Sequence, residues 1–229
     1  MMKKLIATRA DDNNKKINEI TIPLMQKYAD RCGADFKIIS ECKDLHMHYR
    51  ILQFYDLFEE YDSILSLDSD VLVLGRCPDI FEVVPCDKIA SIYEDIGTRK
   101  TDRRSRIKSV QEKFGSIGWE KGYINTGFAL FPKKYKFLFE PKKEEELWMG
   151  LGYDDVWLGY QMNKNKCDFY ELSIKYNFMS MFSEIWNNNM SRFDAFCIHY
   201  AGSGAFVPIL SREDNVMQDY LIFKKYGML

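Results

Sequence analysis

Two carboxylates inside an apolar run are the strongest chemical signal in the sequence. Asp68 and Asp70 lie within residues 63–74, SILSLDSDVLVL. On a strand, side chains two apart point to the same side, so these acids would repel each other unless a cation lay between them. Mg²⁺ or Mn²⁺ suits such hard oxygen ligands and commonly bridges them to nucleotide phosphates. The alternative is a turn between strands, in which Asp68 caps a helix and Asp70 is solvated.

A third metal ligand is sought among the three histidines of the chain. His199 ends the apolar segment 193–200 and precedes a Gly-rich turn at residues 201–204, whose backbone N–H groups could approach a phosphate closely. An imidazole ligand favours Mn²⁺ over Mg²⁺. The alternative for His199 is a core histidine bonded to a backbone carbonyl, and we expect His46 and His48 on a strand or loop face.

Short apolar and β-branched runs predict the strands that position these residues. The runs are 4–7, 36–39, 63–67, 89–92, 127–131 and 195–199. Helical spacing of apolar residues predicts helices over 17–32, with Pro23 as a kink or early-turn residue and Gly33 as the cap, and over 50–58. A β-α-β-α-β order of this kind predicts an α/β fold with a mostly parallel sheet, helices on its faces, and ligands at the carboxyl ends of strands.

Length and composition favour a single domain spanning residues 1–229. The chain is 46% apolar, which is enough for one substantial core. Its formal net charge of -2 gives no indication of binding to nucleic acid or to an anionic membrane. No uncharged apolar run approaches the roughly 18 residues of a membrane span, and the apolar run after Lys4 is too short for a signal-peptide core. The six cysteines form no C-x-x-C pair, so we expect reduced thiols. We therefore expect a soluble, cytoplasmic protein.

One segment departs from the alternation of strands and helices. Residues 98–113, TRKTDRRSRIKSVQEK, contain seven basic and two acidic residues. This composition predicts a surface loop or an exposed helix, either as a solvated face or as a mobile lid over an anionic ligand.

Several motifs, taken in order, resemble those of metal-dependent nucleotide-sugar glycosyltransferases of the GT-A fold, and more narrowly the glycogenin-like and galactosyltransferase-like group. They are ATR at 7–9, EEYDSILSLDSDVLVL at 59–74, YINTG at 123–127, YDDV at 153–156, YN at 176–177 and HYAG at 199–202. The resemblance extends from Lys3 to about Phe206. It implies a GT-A, Rossmann-like sheet and a UDP-sugar as donor substrate.

The resemblance also implies roles for individual residues. Asp68, Asp70 and His199 would bind the metal that holds the diphosphate. The nucleotide sugar would contact Ala7, Thr8 and Arg9 at the base and ribose, Gly202 at the diphosphate, and Arg50, Asn125, Thr126 and Gly127 near the sugar. Ser69 would also bind the nucleotide sugar. Asp154 and Asp155 would be catalytic, beside the sugar and the acceptor. Two alternatives remain, because 125–127 could be a plain turn and 153–155 the N-cap of a helix over 156–162.

The sequence departs from the family pattern at two points. The ending "H-x-x-G-x-x-K-P-W" is replaced by HYAGSGAF, so the lysine that grips the diphosphate is missing, and Arg9 or the arginines of 98–113 would have to compensate. Asp155 stands where the family's "D-Q-D" has Gln. A carboxylate there could be a general base for inversion, whereas the glycogenin-like group retains the anomeric configuration.

The function predicted from the sequence is transfer of a hexose from a UDP-sugar to a hydroxyl of a glycan or glycoprotein, with Mn²⁺ or Mg²⁺. A sugar-phosphate nucleotidyltransferase is one alternative, but it would carry a Gly-rich basic loop after the first strand, and residues 7–14 contain no glycine. A catalytically silent domain that binds nucleotide sugars or carbohydrate is the other. The donor sugar, the acceptor and the oligomeric state stay open.

Overall fold

A six-stranded sheet forms the centre of the computed structural model, which describes residues 2–202 and 206–229. Its strands are β1 (Lys4–Arg9), β2 (Asp35–Ile39), β3 (Ser63–Asp68), β5 (Ile89–Ser91), β6 (Phe128–Pro132) and β7 (Phe169–Glu171), and they lie in the order β2-β1-β3-β6-β5-β7. β4 (Val71–Val73) and β8 (Cys197–His199) form a separate two-stranded sheet. The predicted strands are therefore all present, with boundaries that differ by one or two residues.

Most neighbouring strands of the large sheet are parallel. β1 runs parallel to both β2 and β3, and β5 runs parallel to β7, whereas β6 is antiparallel to β3 and to β5. The prediction of a mostly parallel α/β sheet is confirmed. Because β6 is reversed, its first residues lie at the same sheet edge as the last residues of β1, β3 and β5.

Alternating residues of the central strands are buried on both faces of the sheet. In β1, Ile6 packs in one hydrophobic cluster, and its neighbours Leu5 and Ala7 pack in another. In β6, Phe128 and Leu130 belong to the first cluster, while Ala129 and Phe131 belong to the second. Burial on both faces explains why these strands read as continuous apolar runs.

Within the described residues, six α-helices accompany the strands. They are α1 (Lys15–Arg31), α2 (Phe54–Leu57), α3 (Ile80–Val83), α4 (Lys100–Phe114), α5 (Tyr153–Lys164) and α6 (Arg212–Lys225). α1 confirms the helix predicted over 17–32, contains Pro23 and is followed by Gly33 at φ +59°. The helix predicted over 50–58 is instead a 3-10 helix, Met47–Gln53, that continues into the single turn of α2.

The basic segment 98–113 is mostly helical, since it begins with a 3-10 turn and continues as α4. No helix within residues 2–202 and 206–229 has both the length and the apolar composition that a bilayer span requires.

Candidate active site

A cavity of about 840 Å³ lies at one edge of the six-stranded sheet. β1, β3 and β5 end at this edge and β6 begins there. The cavity wall includes Arg9 from the end of β1, Asp68 from the end of β3 and Asn125 from the segment before β6. An α/β sheet binds ligands at the carboxyl ends of its parallel strands, so the cavity lies at the expected edge.

Asp68, Asp70 and His199 converge on one point of this wall. One potential ligand atom from each lies within 4.8 Å of the others. The Nε2 atom of His199 is 3.2 Å from Asp70 Oδ1 and 3.7 Å from Asp68 Oδ2. His199 reaches this point because β8 pairs with β4, in a register that places His199 opposite Val71.

The two aspartates were expected on one strand, but they do not share one. β3 ends at Asp68, and Asp70 lies in the turn before β4. The hydroxyl of Thr21 in α1 donates a hydrogen bond to the carbonyl of Ser69, at 2.6 Å, and anchors this turn. The turn therefore brings the carboxylates together by a route other than the alternation of a strand.

Gly127 leaves room for two of these side chains, the ring of His199 and the carboxylate of Asp68. A Cβ atom at this position would overlap the ring of His199 and lie 2.8 Å from Asp68 Oδ2. The donor set of two carboxylates and one imidazole matches Mn²⁺, and Mg²⁺ less well. The residues present therefore fit a divalent metal.

Opposite charges stabilise the ionised forms of this cluster. Burial alone would raise the pKa of Asp70, but His199 and Arg212 lower it below its ordinary value. Burial would lower the pKa of His199, but the carboxylates of Asp70 and Asp68 raise it. The point between the carboxylates is therefore one at which positive charge is favoured.

Arg9 joins this cluster to a second pair of carboxylates. Its buried guanidinium donates to Asp68 and to Asp154, and it also lies 3.2 Å from the hydroxyl of Thr126. Although burial lowers the pKa of Arg9, the two carboxylates raise it above its ordinary value. Arg9 is thus a fixed, ionised bridge.

Asp154 and Asp155 lie in the first turn of α5, which begins at Tyr153 rather than at 156. The backbone N–H of Thr126 donates to Asp155 Oδ1 at 2.7 Å, and its hydroxyl lies 2.9 Å from Asp154 Oδ2. Asp155 lines the cavity, whereas Asp154 is buried beneath it. Burial and the neighbouring Asp154 raise the pKa of Asp155 well above its ordinary value.

The other predicted site residues fall into two groups. Arg50, Ser69, Asn125 and Gly202 line the cavity, and Arg50 is paired with Asp11 Oδ2 at 2.6 Å. Ala7 and Thr8 do not line it, because both are fully buried within β1. Gly202 has φ +61°, and Ser203 and Gly204 of the predicted Gly-rich turn lie outside the described residues.

The basic segment contributes to the cavity as a fixed wall. Arg99 and Arg103 line the cavity, and both donate to the buried carboxylate of Glu94. Arg104 of the same helix pairs with Asp95 Oδ2 at 2.9 Å. A solvated face, one of the two alternatives for this segment, therefore describes only part of it, because the rest is held against two buried acids.

Glu94, His48 and Arg212 are cavity residues that the sequence argument missed. Glu94 follows the end of β5, so the strand-end rule that identified Asp68 could also have found it. His48 stacks on Tyr153, with ring centroids 4.8 Å apart, and its Nδ1 lies 3.6 Å from Asp154 Oδ1. Arg212 starts α6 and has its Nη1 3.1 Å from Asp70 Oδ2, with no motif in the sequence to mark it.

Comparison with protein families settles the classification of the chain. The model of "Glycosyl transferase family 8" matches residues 5–136, which is more than half of the chain and includes Asp68, Asp70 and Gly127. The chain belongs to glycosyltransferase family 8. No curated protein sequence gives a significant match to this family 8 chain.

Solved structures share the fold of this family 8 chain at low sequence identity. A glycosyltransferase involved in the glycosylation of the major capsid of PBCV-1 is 16% identical, with a TM-score of 0.61, 96% of this chain covered and 99% of that one. The galactosyltransferase LgtC, solved with donor and acceptor sugar analogs, is 13% identical, with a TM-score of 0.59 and 95% of each chain covered. GlyE of Streptococcus pneumoniae TIGR4 is 17% identical, with a TM-score of 0.58, all of this chain covered and 65% of that one.

These similarities confirm the resemblance to GT-A glycosyltransferases and the α/β fold class. The family 8 chain is therefore a glycosyltransferase by family.

Proposed function

We propose that this family 8 chain transfers a hexose from a UDP-sugar to a hydroxyl group of a glycan or glycoprotein, with Mn²⁺ or Mg²⁺ bound. The convergence of Asp68, Asp70 and His199 on one point of the cavity carries this proposal. These three side chains would hold the ion. When bound, it would neutralise the negative charge that develops on the departing diphosphate.

Arg212 is the proposed cation for the diphosphate, in place of the lysine missing from the family's motif. Its guanidinium lies on the cavity wall beside Asp70 and keeps part of its surface exposed. It also stands in the first turn of α6, where the helix dipole favours a bound anion. Arg9 is less suited to this task because Asp68 and Asp154 already occupy its donors.

Asp155 is the proposed contact to the sugar and the acceptor. It lines the cavity, and its raised pKa favours the neutral acid, which resembles the family's Gln in being uncharged and able to donate a hydrogen bond. Asp154 lies beneath the wall and pairs with Arg9. We therefore assign Asp154 the part of a positioning residue that acts through Arg9.

The remaining donor contacts are assigned by position in the wall. Arg50, Ser69, Asn125 and Gly202 line the cavity and would contact the nucleotide sugar. Thr126 would act indirectly by holding Asp155, and Gly127 would act by leaving room for two of the ligand side chains.

Calorimetric titration with UDP, GDP and their sugars tests the proposal. The wild-type protein and Asp70→Ala are each titrated with Mn²⁺ and then with EDTA, and Asp87→Ala, at an exposed site beside Lys134, serves as the control. We expect binding of one base that requires Mn²⁺ and is lost only in Asp70→Ala. The proposal fails if no nucleotide binds in a metal-dependent way. Binding of donor without transfer to any acceptor or to water would instead support a silent binding domain.

A further inference from the structure

Two buried asparagines connect His199 to Glu94, another residue that lines the cavity. His199 Nδ1 lies 2.8 Å from Asn177 Oδ1, and Asn177 Nδ2 donates to Asn125 Oδ1 at 2.8 Å. Asn125 Nδ2 in turn donates to Glu94 Oε2 at 3.0 Å. Asn177 is fully buried, so its amide has no access to water.

The orientation of the Asn125 amide is fixed from two sides. Glu94 is ionised, because Arg103 and Arg99 lower its pKa against the effect of burial, and a carboxylate can only accept hydrogen bonds. The backbone N–H of Gly127 can only donate, and it donates to Asn125 Oδ1 at 3.0 Å. A reversed Asn125 would place an oxygen against Glu94 and an NH₂ group against Gly127, so neither bond would survive.

This orientation determines which ring nitrogen of His199 must carry a hydrogen. Because Asn125 presents its oxygen, Asn177 must present its NH₂ group to Asn125 and therefore its own oxygen to His199. An oxygen at 2.8 Å from Nδ1 requires Nδ1 to carry a hydrogen. The other ring nitrogen, Nε2, faces Asp68 and Asp70.

The backbone holds the two residues at this separation. The N–H of Phe178, next to Asn177, donates to the carbonyl of Cys197 at 3.0 Å, and the N–H of His199 donates to the carbonyl of Phe178 at 3.0 Å. Asn177 is therefore docked along β8 by backbone bonds that do not involve its side chain.

We propose that Asn177 is a positioning residue of the metal site, which together with Asn125 and Glu94 keeps the proton on His199 Nδ1 and so presents Nε2 as the metal ligand. The inference rests on the metal site of the proposed function and assigns a task to the YN motif at 176–177. Partners of this kind orient a metal-binding histidine and strengthen its binding.

Nitrogen NMR of the three histidine rings tests the proton directly, with Mg²⁺ as the diamagnetic probe. We expect His199 to keep a slowly exchanging Nδ1–H both without Mg²⁺ and with it. An unprotonated Nδ1 would overturn the positioning role of Asn177 even if metal binding were normal, and would leave the proposed function standing. A protonated Nδ1 without any response of Nε2 to Mg²⁺ or Mn²⁺ would instead overturn the metal site, and with it both proposals.

Two substitutions at Asn177 separate positioning from simple packing. Asn177→Ala removes the acceptor, and we expect about 10- to 100-fold weaker Mn²⁺ binding by calorimetry and loss of the protected Nδ1–H. Asn177→Asp keeps an acceptor for Nδ1–H but turns its second oxygen toward Asn125 Oδ1. It should bind Mn²⁺ at least as tightly as wild type, keep the protected proton and still unfold at lower urea concentration.

Tyr28→Phe is the matched control, because it removes a buried hydroxyl that donates to Pro78 O at 2.7 Å, away from the cavity. It should lose stability without losing Mn²⁺ affinity. Wild-type affinity in Asn177→Ala, or equally weakened affinity in both Asn177 variants, would overturn the positioning role.

Discussion

Two pairs of aspartates meet at the cavity, and their electrostatic surroundings are opposite. Asp70 lies beside His199 and Arg212, and its pKa is lowered. Asp155 lies beside another carboxylate, Asp154, and its pKa is raised. Arg9 pairs with one member of each pair, Asp68 and Asp154. The opposite pKa shifts are therefore those of the other two members, Asp70 and Asp155.

The difference shows that neighbouring carboxylates in a cavity do not by themselves indicate a metal site. At Asp68 and Asp70, a histidine and an arginine surround the acids, and Gly127 leaves space beside them. At Asp154 and Asp155, Arg9 pairs only with Asp154, and the N–H and hydroxyl of Thr126 are the groups that bond Asp155. The pKa of Asp70 is therefore lowered and the pKa of Asp155 is raised, although both side chains line the same cavity.

The largest effect is expected from removing a carboxylate of the first pair. Asp68→Ala and Asp70→Ala should each lower metal-dependent turnover on the order of 10³-fold or more, because charge stabilisation of the leaving group would be lost. Sugar transfer and Mn²⁺ affinity are the measurements, with unfolding in urea to show that the fold persists. Full activity without a response to metal in either variant would contradict the assignment.

Gly127→Ala tests the space at the first pair without changing any charge. Its Cβ would overlap the His199 ring, and since overpacking costs about 1–3 kcal/mol, Mn²⁺ binding should weaken by about 5- to 150-fold. Gly33→Ala is the control, because φ +59° strains the new residue at a position with nothing within 4 Å of its Cβ. Calorimetry should show lost affinity only at 127.

Arg212→Ala tests the cation beside Asp70. Hydrogen bonds to charged groups contribute about 1.5–3 kcal/mol, so binding of UDP with Mn²⁺ should weaken about 10- to 100-fold. Lys134→Ala, which removes an exposed pairing with Asp168 away from the cavity, should leave the affinity unchanged. Equal effects of the two substitutions would assign the loss to overall charge instead of to Arg212.

Asp155→Asn should have the smallest effect on turnover. An amide resembles the neutral acid, so we expect kcat within about 10-fold of wild type, whereas loss of a general base costs about 10²–10⁴-fold. A loss of the latter size would identify Asp155 as a base and favour inversion.

The same variant changes how stability depends on pH. Because the folded chain raises the pKa of Asp155, its ionisation is more favourable in the unfolded chain, and stability falls as pH rises from the ordinary carboxyl pKa toward the raised one. Urea unfolding of Asp155→Asn should lack this contribution. If the stability of wild type and of Asp155→Asn depended on pH in the same way, the pKa of Asp155 in the folded chain would not be raised.

The central strands β1, β3, β5 and β6 were predictable because their side chains are buried on both faces and leave continuous apolar runs. The short and less buried β7 was not predicted. The helix over 50–58 was not, because a 3-10 helix and one α turn carry the same apolar spacing over so few residues. The state of 98–113 was left open because a charged helix has little apolar content from which to read a period. Its helix is held by two buried apolar side chains, Ile107 and Val110, and by ion pairs of Arg103 and Arg104 with Glu94 and Asp95.

Within the site, many of the residues that line the cavity could be selected from the sequence, but the contacts between them could not. Asp68 was found from its strand, whereas the turn that places Asp70 was considered only as an alternative to a metal site. Arg9 was assigned to a nucleotide pocket, and its pairing with Asp154 depends on residues 145 apart in the chain. Such contacts follow from the packing of α5 against the sheet edge, which local patterns do not encode.

The pairing of β4 with β8 ties the last third of the chain to the turn that contains Asp70. An ion held by Asp68, Asp70 and His199 would act as a cross-link that closes this long loop, much as a disulfide would. Binding free energy would then appear as folding free energy of β8 and the segments beside it. Chelation would release these C-terminal elements first, by local unfolding, while the β2-β1-β3 core stayed protected from hydrogen exchange.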